Sequence, residues 1–234
     1  MKTIILCGGK GTRLSEETKL VPKPMVKIGN KPIIVHIINI YMKYGLKDFI
    51  LALGYKGKII EDYFTSNPIK GANIKCINTK LNSMTGGRIL LLKKNFKEKE
   101  NFMVTYGDGV SNINIKKLIN FHKKHKKIVT LTAVRPPVRF GAININKNNF
   151  VKNFKEKPQI SNNWINGGFF VMNYDVFKFI KHNQEMFEHK PIEKLSHINQ
   201  VKAYKHYDFW QCMDTLREKN YLNNLWLRGE AKWK

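Results

Sequence analysis

The most informative stretch of this chain is LCGGKGTRL at positions 6–14, which is followed by PKPM at positions 22–25. An apolar run, TIIL at positions 3–6, leads into it and predicts a short buried strand. Glycines directly after a first strand let backbone amides approach a polyphosphate closely. Arg13 can pair with phosphate oxygens as a fork, and Lys23 can supply a point charge. The stretch therefore predicts a phosphate-binding loop, with a glycine turn beside solvated lysines as the alternative.

Two familiar phosphate-loop patterns are excluded at this position. A GxGxxG dinucleotide fingerprint starting at Gly9 would need glycine where Leu14 stands. A P-loop would need Gly-Lys and then Ser or Thr four residues after a glycine, and that spacing is missing as well. A phosphate-binding role for this loop would therefore depend on neither of these two patterns.

Outward from this loop, strand and helix patterns alternate, which is typical of an α/β protein. Apolar runs predict strands at 3–6, 49–53, 74–77, 102–105 and 129–134, and helical spacing predicts helices at 31–44, 58–64, 85–96 and 114–125. Asn30 and Asn114 are expected to cap the first and last of these helices. The order predicts a mostly parallel, doubly wound sheet of Rossmann-like form. Because ligands bind at the carboxyl ends of such strands, we expect the loops after Leu6 and Thr105 to share one edge.

The pattern changes from position 140 onward. Strands at 140–145 and 150–154 flank an Asn-rich turn and predict a hairpin, and a further strand is expected at 169–173. Helical stretches follow near 176–181 and 192–195, and a final helix is expected at 216–227. We predict a small β-rich region on the substrate side within one continuous domain, residues 1–234.

Charge and composition narrow the class of protein. The chain has 234 residues and a formal net charge of +25, from 42 basic and 17 acidic residues. Only six of the basic residues are arginine, and the lysines are scattered, which is typical of compositional bias rather than of a specific nucleic-acid reader. No apolar run is long enough for a membrane helix or a signal peptide, so we expect a cytoplasmic protein with no membrane partner. Three separated cysteines indicate neither a disulfide framework nor a zinc site, and His122 and His125 are expected on an exposed helical face.

Two aspartates, Asp108 and Asp214, are candidate ligands for Mg²⁺. This cation is usually held by one or two carboxylates together with substrate phosphate oxygens and water. The alternative places Asp108 in an Asx turn and Asp214 at a helix N-cap. A third polar group, Glu156, Lys157 and Asn166, lies close to glycines and can hold a phosphorylated polyol, although polar loops are common.

Five motifs, in this order, resemble the sugar nucleotidyltransferase family, and in detail its bacterial glucose-1-phosphate cytidylyltransferases. They are GGKGTRL at 8–14 with PKPM at 22–25, SMTGGR at 83–88, TYGDGV at 105–110, NGGFF at 166–170 and FWQCMDTLR at 209–217. The similarity covers essentially the whole chain. One departure is the region between Phe64 and Ser83, which is shorter than in those enzymes, where an insertion lies near subunit contacts and the nucleotide site.

The resemblance implies roles for the matching residues. The catalytic residues would be Arg13, Lys23 and Asp108, and Asp108 and Asp214 would hold Mg²⁺. The nucleotide would be bound by Leu6, Gly8, Gly9, Gly11, Thr12, Arg13, Lys23, Thr85, Gly86, Arg88 and Asp108. The phosphorylated acceptor would be bound by Tyr106, Gly107, Gly141, Glu156, Lys157, Asn166 and Gly167. Residues 1–134 or so would form the nucleotide-binding half, and about 135–234 the substrate-binding half.

The implied reaction is transfer of CMP from CTP to a phosphorylated acceptor, first of all glucose 1-phosphate, with CDP-glucose and pyrophosphate as products. The alternatives are another sugar phosphate, a small non-sugar phosphate, UTP or dTTP in place of CTP, a non-catalytic nucleotide sensor, and a basic RNA-binding module. We expect a homo-oligomer without a specific nucleic-acid partner. Taking Lys23 for a surface residue, we expect its replacement to leave stability almost unchanged.

Overall fold

The computed structural model describes residues 1–136, 142–155 and 163–234. Its strands are β1 Thr3–Cys7, β2 Lys27–Ile28, β3 Lys31–Pro32, β4 Asp48–Leu53, β5 Asn73–Asn78, β6 Asn101–Tyr106, β7 Gly109–Ser111, β8 Val129–Val134, β9 Ala142–Ile145, β10 Val151–Lys155, β11 Ile165–Asn173, β12 Val201–Lys205 and β13 Trp210–Cys212. Its α-helices are α1 Ser15–Thr18, α2 Ile33–Met42, α3 Gly57–Ser66, α4 Thr85–Leu91, α5 Ile115–His125, α6 Lys190–His197 and α7 Leu216–Leu227. Short 3₁₀ helices cover Thr12–Leu14, Lys23–Met25, Lys93–Asn95 and Tyr174–Phe179. Three of the acceptor residues predicted from the sequence, Gly141, Glu156 and Lys157, lie outside the described residues.

The main sheet has seven strands in the order β12-β8-β11-β6-β1-β4-β5. Neighbouring strands run parallel except at β11, which pairs antiparallel with both β8 and β6. In the described part of the connection from β8 to β11, the chain forms the antiparallel pair β9–β10. The mostly parallel sheet predicted from the sequence is confirmed.

Helices cover both faces of this sheet. Within β1, Ile5 packs into a buried cluster with residues of α2, α3, α5 and α7, whereas Ile4 packs into a second cluster with residues of α4 and α6. Successive side chains of a strand point to opposite faces, so a strand covered on both sides needs a continuous apolar run. This arrangement explains TIIL and confirms the doubly wound α/β fold.

Smaller ladders account for the β-rich parts. β9 pairs antiparallel with β10, which confirms the predicted hairpin. β7 pairs antiparallel with β13, and neither strand was predicted, because three residues are too few to display an alternating pattern. β12 was missed as well, since it lies at the sheet edge with exposed Lys202 and Lys205, which do not resemble a buried run.

The helix ends agree with the sequence in some places and differ in others. Asn114 caps α5, its side-chain oxygen accepting from the Lys117 amide at 2.9 Å, and α7 has the predicted bounds. Asn30 does not cap α2, because β2 and β3 pair around it and the helix begins only after Pro32. The predicted helix near 176–181 is instead the 3₁₀ segment Tyr174–Phe179. Among the described residues, no helix combines the length and the apolar character needed to cross a membrane.

His122 contradicts the expectation of an exposed histidine face. Its side chain is buried, and its Nδ1 lies 2.8 Å from Thr130 Oγ1 on β8. His125 Nε2 lies 2.7 Å from the same hydroxyl. The two histidines therefore tie α5 to the sheet.

Candidate active site

The loops after β1 and β6 lie side by side at one edge of the sheet. Leu6 is paired with Tyr106 in parallel register, and the amide of Gly107 donates to the carbonyl of Leu6 at 3.1 Å. The expectation that both unusual loops share the carboxyl edge is confirmed. The sequence motifs 6–14 and 105–110 therefore face one space.

The glycines of the first loop serve different physical needs. Gly11 has a φ of 65°, a left-handed conformation that side chains rarely adopt. A Cβ at Gly8 would lie only 2.0 Å from the guanidinium carbon of Arg88, so a close approach requires glycine there. A Cβ at Gly9 would meet nothing within 4 Å, so the backbone at Gly9 faces open space where a ligand can approach.

Arg88 supports this loop from below. Its buried guanidinium donates to the carbonyls of Gly8, Leu53, Lys80 and Leu81 and to Thr79 Oγ1, at 2.7–3.2 Å. These bonds join the glycine loop to the end of β4 and to the segment after β5. Contact of Arg88 with a nucleotide stays a prediction, and its visible role is to hold the loop in shape.

Lys23 lies between the two predicted metal-binding aspartates. Its Nζ is 2.7 Å from an oxygen of Asp108 and 2.5 Å from an oxygen of Asp214. The other carboxylate oxygen of Asp214 accepts from Arg13 at 2.7 Å. Only 9% of the Lys23 side chain is exposed, so the expectation of a surface lysine is wrong. The four side chains form one charged cluster, called the Lys23 centre below.

The electrostatics of the Lys23 centre favour the charged forms of Lys23 and Asp214. Burial alone would lower the pKa of Lys23, but the charges and hydrogen bonds of Asp108 and Asp214 outweigh it and raise that pKa. Burial alone would raise the pKa of Asp214, but Lys23 and Arg13 lower it below the usual range. Two carboxylates that converge on one point are hard oxygen ligands of the type that Mg²⁺ prefers, so the residues present fit a divalent cation.

The pairing of β7 with β13 brings the two aspartates together, although they are far apart in sequence. Gly109 is paired with Cys212, and the Met213 amide donates to the carbonyl of Asp108 at 2.8 Å. Asp214 follows directly, and Thr215 rather than Asp214 caps α7, in a capping box with Glu218. The alternative that Asp214 serves as the N-cap is therefore wrong.

Two cavities meet at this centre. The first, of about 290 Å³, is lined by Leu6, Cys7, Gly8, Gly9, Gly11, Thr12, Arg13, Lys23, Pro24, Ser83, Met84, Thr85, Arg88, Tyr106, Gly107 and Asp108. The second, of about 830 Å³, is lined by Arg13, Tyr106, Asp108, Pro136, Ile165, Asn166, Trp210, Gln211, Cys212, Asp214, Thr215, Arg217, Glu218 and Tyr221. Arg13, Tyr106 and Asp108 belong to both. The site thus has two compartments that share a charged boundary.

Sequence comparison with known proteins gives the family of this chain. The sequence profile of the family described as "Nucleotidyl transferase" matches residues 2–217. The chain belongs to the nucleotidyl transferase family. It is 44% identical over 255 aligned positions to the glucose-1-phosphate cytidylyltransferase of Salmonella typhimurium, covering 100% of this chain and 99% of that protein.

Two solved structures share the fold of this nucleotidyltransferase. HddC from Yersinia pseudotuberculosis superposes with a TM-score of 0.74 at 24% identity, over 96% of this chain and 99% of that one. A UDP-glucose pyrophosphorylase in complex with UDP-glucose gives a TM-score of 0.75 at 19% identity, over 97% and 98%. At this identity the likeness concerns the fold alone.

The predicted binding residues of this nucleotidyltransferase divide between the two compartments. The predicted nucleotide residues line the first cavity except Gly86, which packs in the first turn of α4 against the carbonyl of Glu185. Among the predicted acceptor residues, Tyr106 lines both cavities, Asn166 lines the second and Gly107 the first. Gly167 lies beside the second, its carbonyl accepting from Trp210 Nε1 at 2.7 Å.

Several lining residues had no predicted role. Arg217 and Tyr221, four residues apart on α7, and Trp210 on β13 all line the second cavity. The i, i+4 spacing on a helix that follows the Asp214 motif was a signal for the first two.

Glu188 was also missed. It accepts hydrogen bonds from Tyr106 and Thr85, but it lies in a polar loop without any sequence pattern by which it could have been found.

Proposed function

We propose that this nucleotidyltransferase transfers CMP from CTP to glucose 1-phosphate, forming CDP-glucose and pyrophosphate. The observation that carries the proposal is the Lys23 centre at the boundary of two cavities, one built on the glycine loop and one on β11, β13 and α7. The choice of CTP and glucose 1-phosphate is supported by the Salmonella relative, whose described activity uses both and whose sequence aligns along the full chain.

The reaction needs positioning and charge more than covalent catalysis. A phosphate oxygen of the acceptor forms a bond to the α-phosphorus of CTP, and the bond from that phosphorus to the bridging oxygen of the β-phosphate breaks. The leaving pyrophosphate takes that electron pair. No general base is required, because the acceptor phosphate is already ionised at neutral pH. Lys23 offers a positive charge to the reacting phosphate, and Arg13, with its side chain 72% exposed, can reach the outgoing pyrophosphate.

Asp108 and Asp214 are the residues that would hold Mg²⁺. Members of this family generally use a divalent metal. When bound, the cation supplies Lewis-acid stabilisation of charge on the phosphate oxygens. Lys23 bridges the same two carboxylates. It therefore holds them close together, and it would compete with the cation for them.

We also propose that the two halves of the chain bind different substrates. Residues up to about 134 would bind the nucleotide, and residues from about 135 would bind the acceptor. Tyr106 and Asp108, which line both cavities, would lie between the two substrates. A homo-oligomer, a cytoplasmic location and the lack of a specific nucleic-acid partner stay predictions.

The deciding experiment measures pyrophosphate release with CTP, UTP and dTTP against glucose 1-phosphate, other sugar 1-phosphates and small non-sugar phosphates. We expect CTP with glucose 1-phosphate to give the highest kcat/KM. Asp108→Asn and Asp214→Asn should each lower kcat by about 10²-fold or more, because each removes a carboxylate that organises the reaction centre.

Asp62→Asn is the matched control, because Asp62 is an exposed carboxylate on α3 that forms a local ion pair with Lys58. It should leave kcat unchanged. Preference for UTP or dTTP would overturn the assignment of CTP, and near-normal turnover of both site variants at limiting Mg²⁺ would overturn the metal-holding role.

A further inference from the structure

Glu188 bonds two hydroxyl groups that belong to different sides of the site. One carboxylate oxygen accepts from the Tyr106 hydroxyl at 2.5 Å, and the other accepts from Thr85 Oγ1 at 2.5 Å. Thr85 lines the first cavity, whereas Tyr106 lines both. A single carboxylate therefore links the loop at the start of α4 to the end of β6.

The links continue on the acceptor side to Asn166. The Tyr106 hydroxyl donates to Glu188 and accepts from the Asn166 side-chain amide at 3.0 Å. The Asn166 side-chain oxygen in turn accepts from the Gly168 amide at 2.9 Å. With both ends of its amide engaged, Asn166 has one orientation in the second cavity, and that orientation depends on Tyr106 and hence on Glu188.

The nucleotide side is fixed in the same way. Thr85 Oγ1 donates to Glu188 and accepts from the Phe187 amide at 2.9 Å. The backbone before Glu188 is docked on α4, since the Met84 amide donates to the carbonyl of Asn183 at 2.9 Å. A Cβ at Gly87 would lie 1.8 Å from that carbonyl oxygen, so the two segments touch backbone to backbone. The backbone that leads to Glu188 is therefore packed directly against α4.

The geometry of the contact favours a carboxylate. The two hydroxyls donate to different oxygens of Glu188, and the charge on the acceptor strengthens both bonds. Glutamine has the same shape but carries an NH₂ group in place of one of these oxygens, so one of the two hydroxyls would face a donor instead of an acceptor.

We propose that Glu188 is a positioning residue that sets Tyr106 and Asn166 for the acceptor and Thr85 for the nucleotide, so that the two substrates meet in register. The inference rests on the proposed function. Glu188 does not contact the reacting atoms in this proposal. It affects binding of the acceptor through the hydroxyl of Tyr106, and binding of the nucleotide through the hydroxyl of Thr85.

The test is a pair of double-mutant cycles measured by steady-state kinetics. Glu188→Gln should raise the KM for the acceptor and the KM for CTP by about tenfold each, as loss of a charge-assisted hydrogen bond does. Tyr106→Phe should raise mainly the acceptor KM, and Thr85→Val mainly the CTP KM. In the double variants, we expect no further increase in the KM that the shared partner controls, because the same link is already broken.

Glu193→Gln, an exposed glutamate on α6, is the matched control and should leave both KM values unchanged. Thermal unfolding and equilibrium CTP binding accompany each variant, so that loss of folding is separated from loss of positioning. Additive effects of Glu188→Gln with both partners, about a hundredfold in the double variants, would overturn the positioning role. Wild-type turnover with CTP and glucose 1-phosphate tests the proposed function by itself. If another substrate pair proves active, the cycles are run with that pair, so the two failures stay distinct.

Discussion

Lys23 shows how a short motif places one charge at the centre of a site. It lies between Pro22 and Pro24, which restrict the backbone, and it begins the 3₁₀ turn Lys23–Met25. The turn directs the ammonium group inward, where Asp108 and Asp214 hold it. The stiffness was visible in the sequence, but the burial was not, because both partners come from distant parts of the chain.

Replacement of Lys23 by methionine should separate its catalytic and structural roles. We expect kcat to fall by roughly 10²–10³, because the side chain acts as one preorganised electrostatic donor, with a smaller change in CTP affinity. The free energy of unfolding should fall by about 1–3 kcal/mol, since two carboxylates lose their buried partner. Steady-state kinetics, CTP titration calorimetry and denaturant unfolding measure these effects. Lys27→Met, at an exposed position on β2, is the control.

Magnesium provides a second readout on Lys23→Met without any turnover. Without Lys23 to compete for them, Asp108 and Asp214 should bind the cation more tightly, so Mg²⁺ should raise the Tm of Lys23→Met more than that of the wild type. Equal shifts in thermal scans with Mg²⁺ and with chelator would contradict a shared carboxylate site. Unchanged kcat in the variant would remove Lys23 from catalysis.

Among the elements, α5 owes its attachment to the sheet partly to a buried histidine. Burial, and then the charge of His125, lower the pKa of His122 to about 4. Burial, followed by the charges of Lys202 on β12 and of Lys127, lowers the pKa of His125 as well. Both imidazoles are therefore neutral near pH 7 in the folded protein, where they share the hydroxyl of Thr130.

The pH dependence of stability should report this histidine. The unfolded chain binds a proton at His122 near pH 6.5, but the folded chain does so only near pH 4. Stability is therefore unaffected by this group above about pH 7 and is lost as the pH falls, by about 2 kcal/mol at pH 5. Denaturant unfolding at pH 7 and pH 5 should show a smaller pH loss in His122→Asn than in the wild type.

His197→Asn controls for removal of an exposed histidine, because His197 lies on the surface of α6. It should keep the wild-type loss between pH 7 and pH 5. An unchanged pH loss in His122→Asn would show that another group dominates acid destabilisation.

At the scale of the whole molecule, Trp233 near the C-terminus packs against the segment that leads to Asp214. Trp233 is buried, stacks on Phe209 with ring centroids 5.5 Å apart, and donates from Nε1 to His36 at 3.3 Å. Phe209 directly precedes β13, which leads to Asp214. The C-terminal segment thus joins α2 to the strand that carries a site residue.

Trp233→Ala should lower the free energy of unfolding by about 3–5 kcal/mol, the usual effect of removing a buried large aromatic side chain. Because Trp233 lies outside both cavities, kcat per folded molecule should stay within a few-fold of wild type at a temperature where the variant is folded. Denaturant unfolding and kinetics normalised to the folded fraction measure both. Lys232→Ala, beside it but exposed, should change neither. A stability loss below about 1 kcal/mol would contradict the structural role.

Features that depend on neighbouring residues could be predicted without the structure. Local periodicity, and the conformations that single residue types allow, predict four such features. They are the strand at 3–6, the glycine loop, the cap at Asn114 and the bounds of α7. Since strand and helix alternate, the same local patterns also placed the loops after Leu6 and Thr105 at one edge.

Which side chains lie close together depends on how distant segments of the chain pack. The β7–β13 ladder, the burial of Lys23, the support of the glycine loop by Arg88 and the double contact of Glu188 all join residues that are distant in sequence. Such contacts depend on how helices and strands pack, and a carboxylate in a polar loop has the same local pattern whether it faces water or two hydroxyls. The sequence therefore identified the charged residues of the candidate site, but it did not show which of them pair, because the pairing depends on packing.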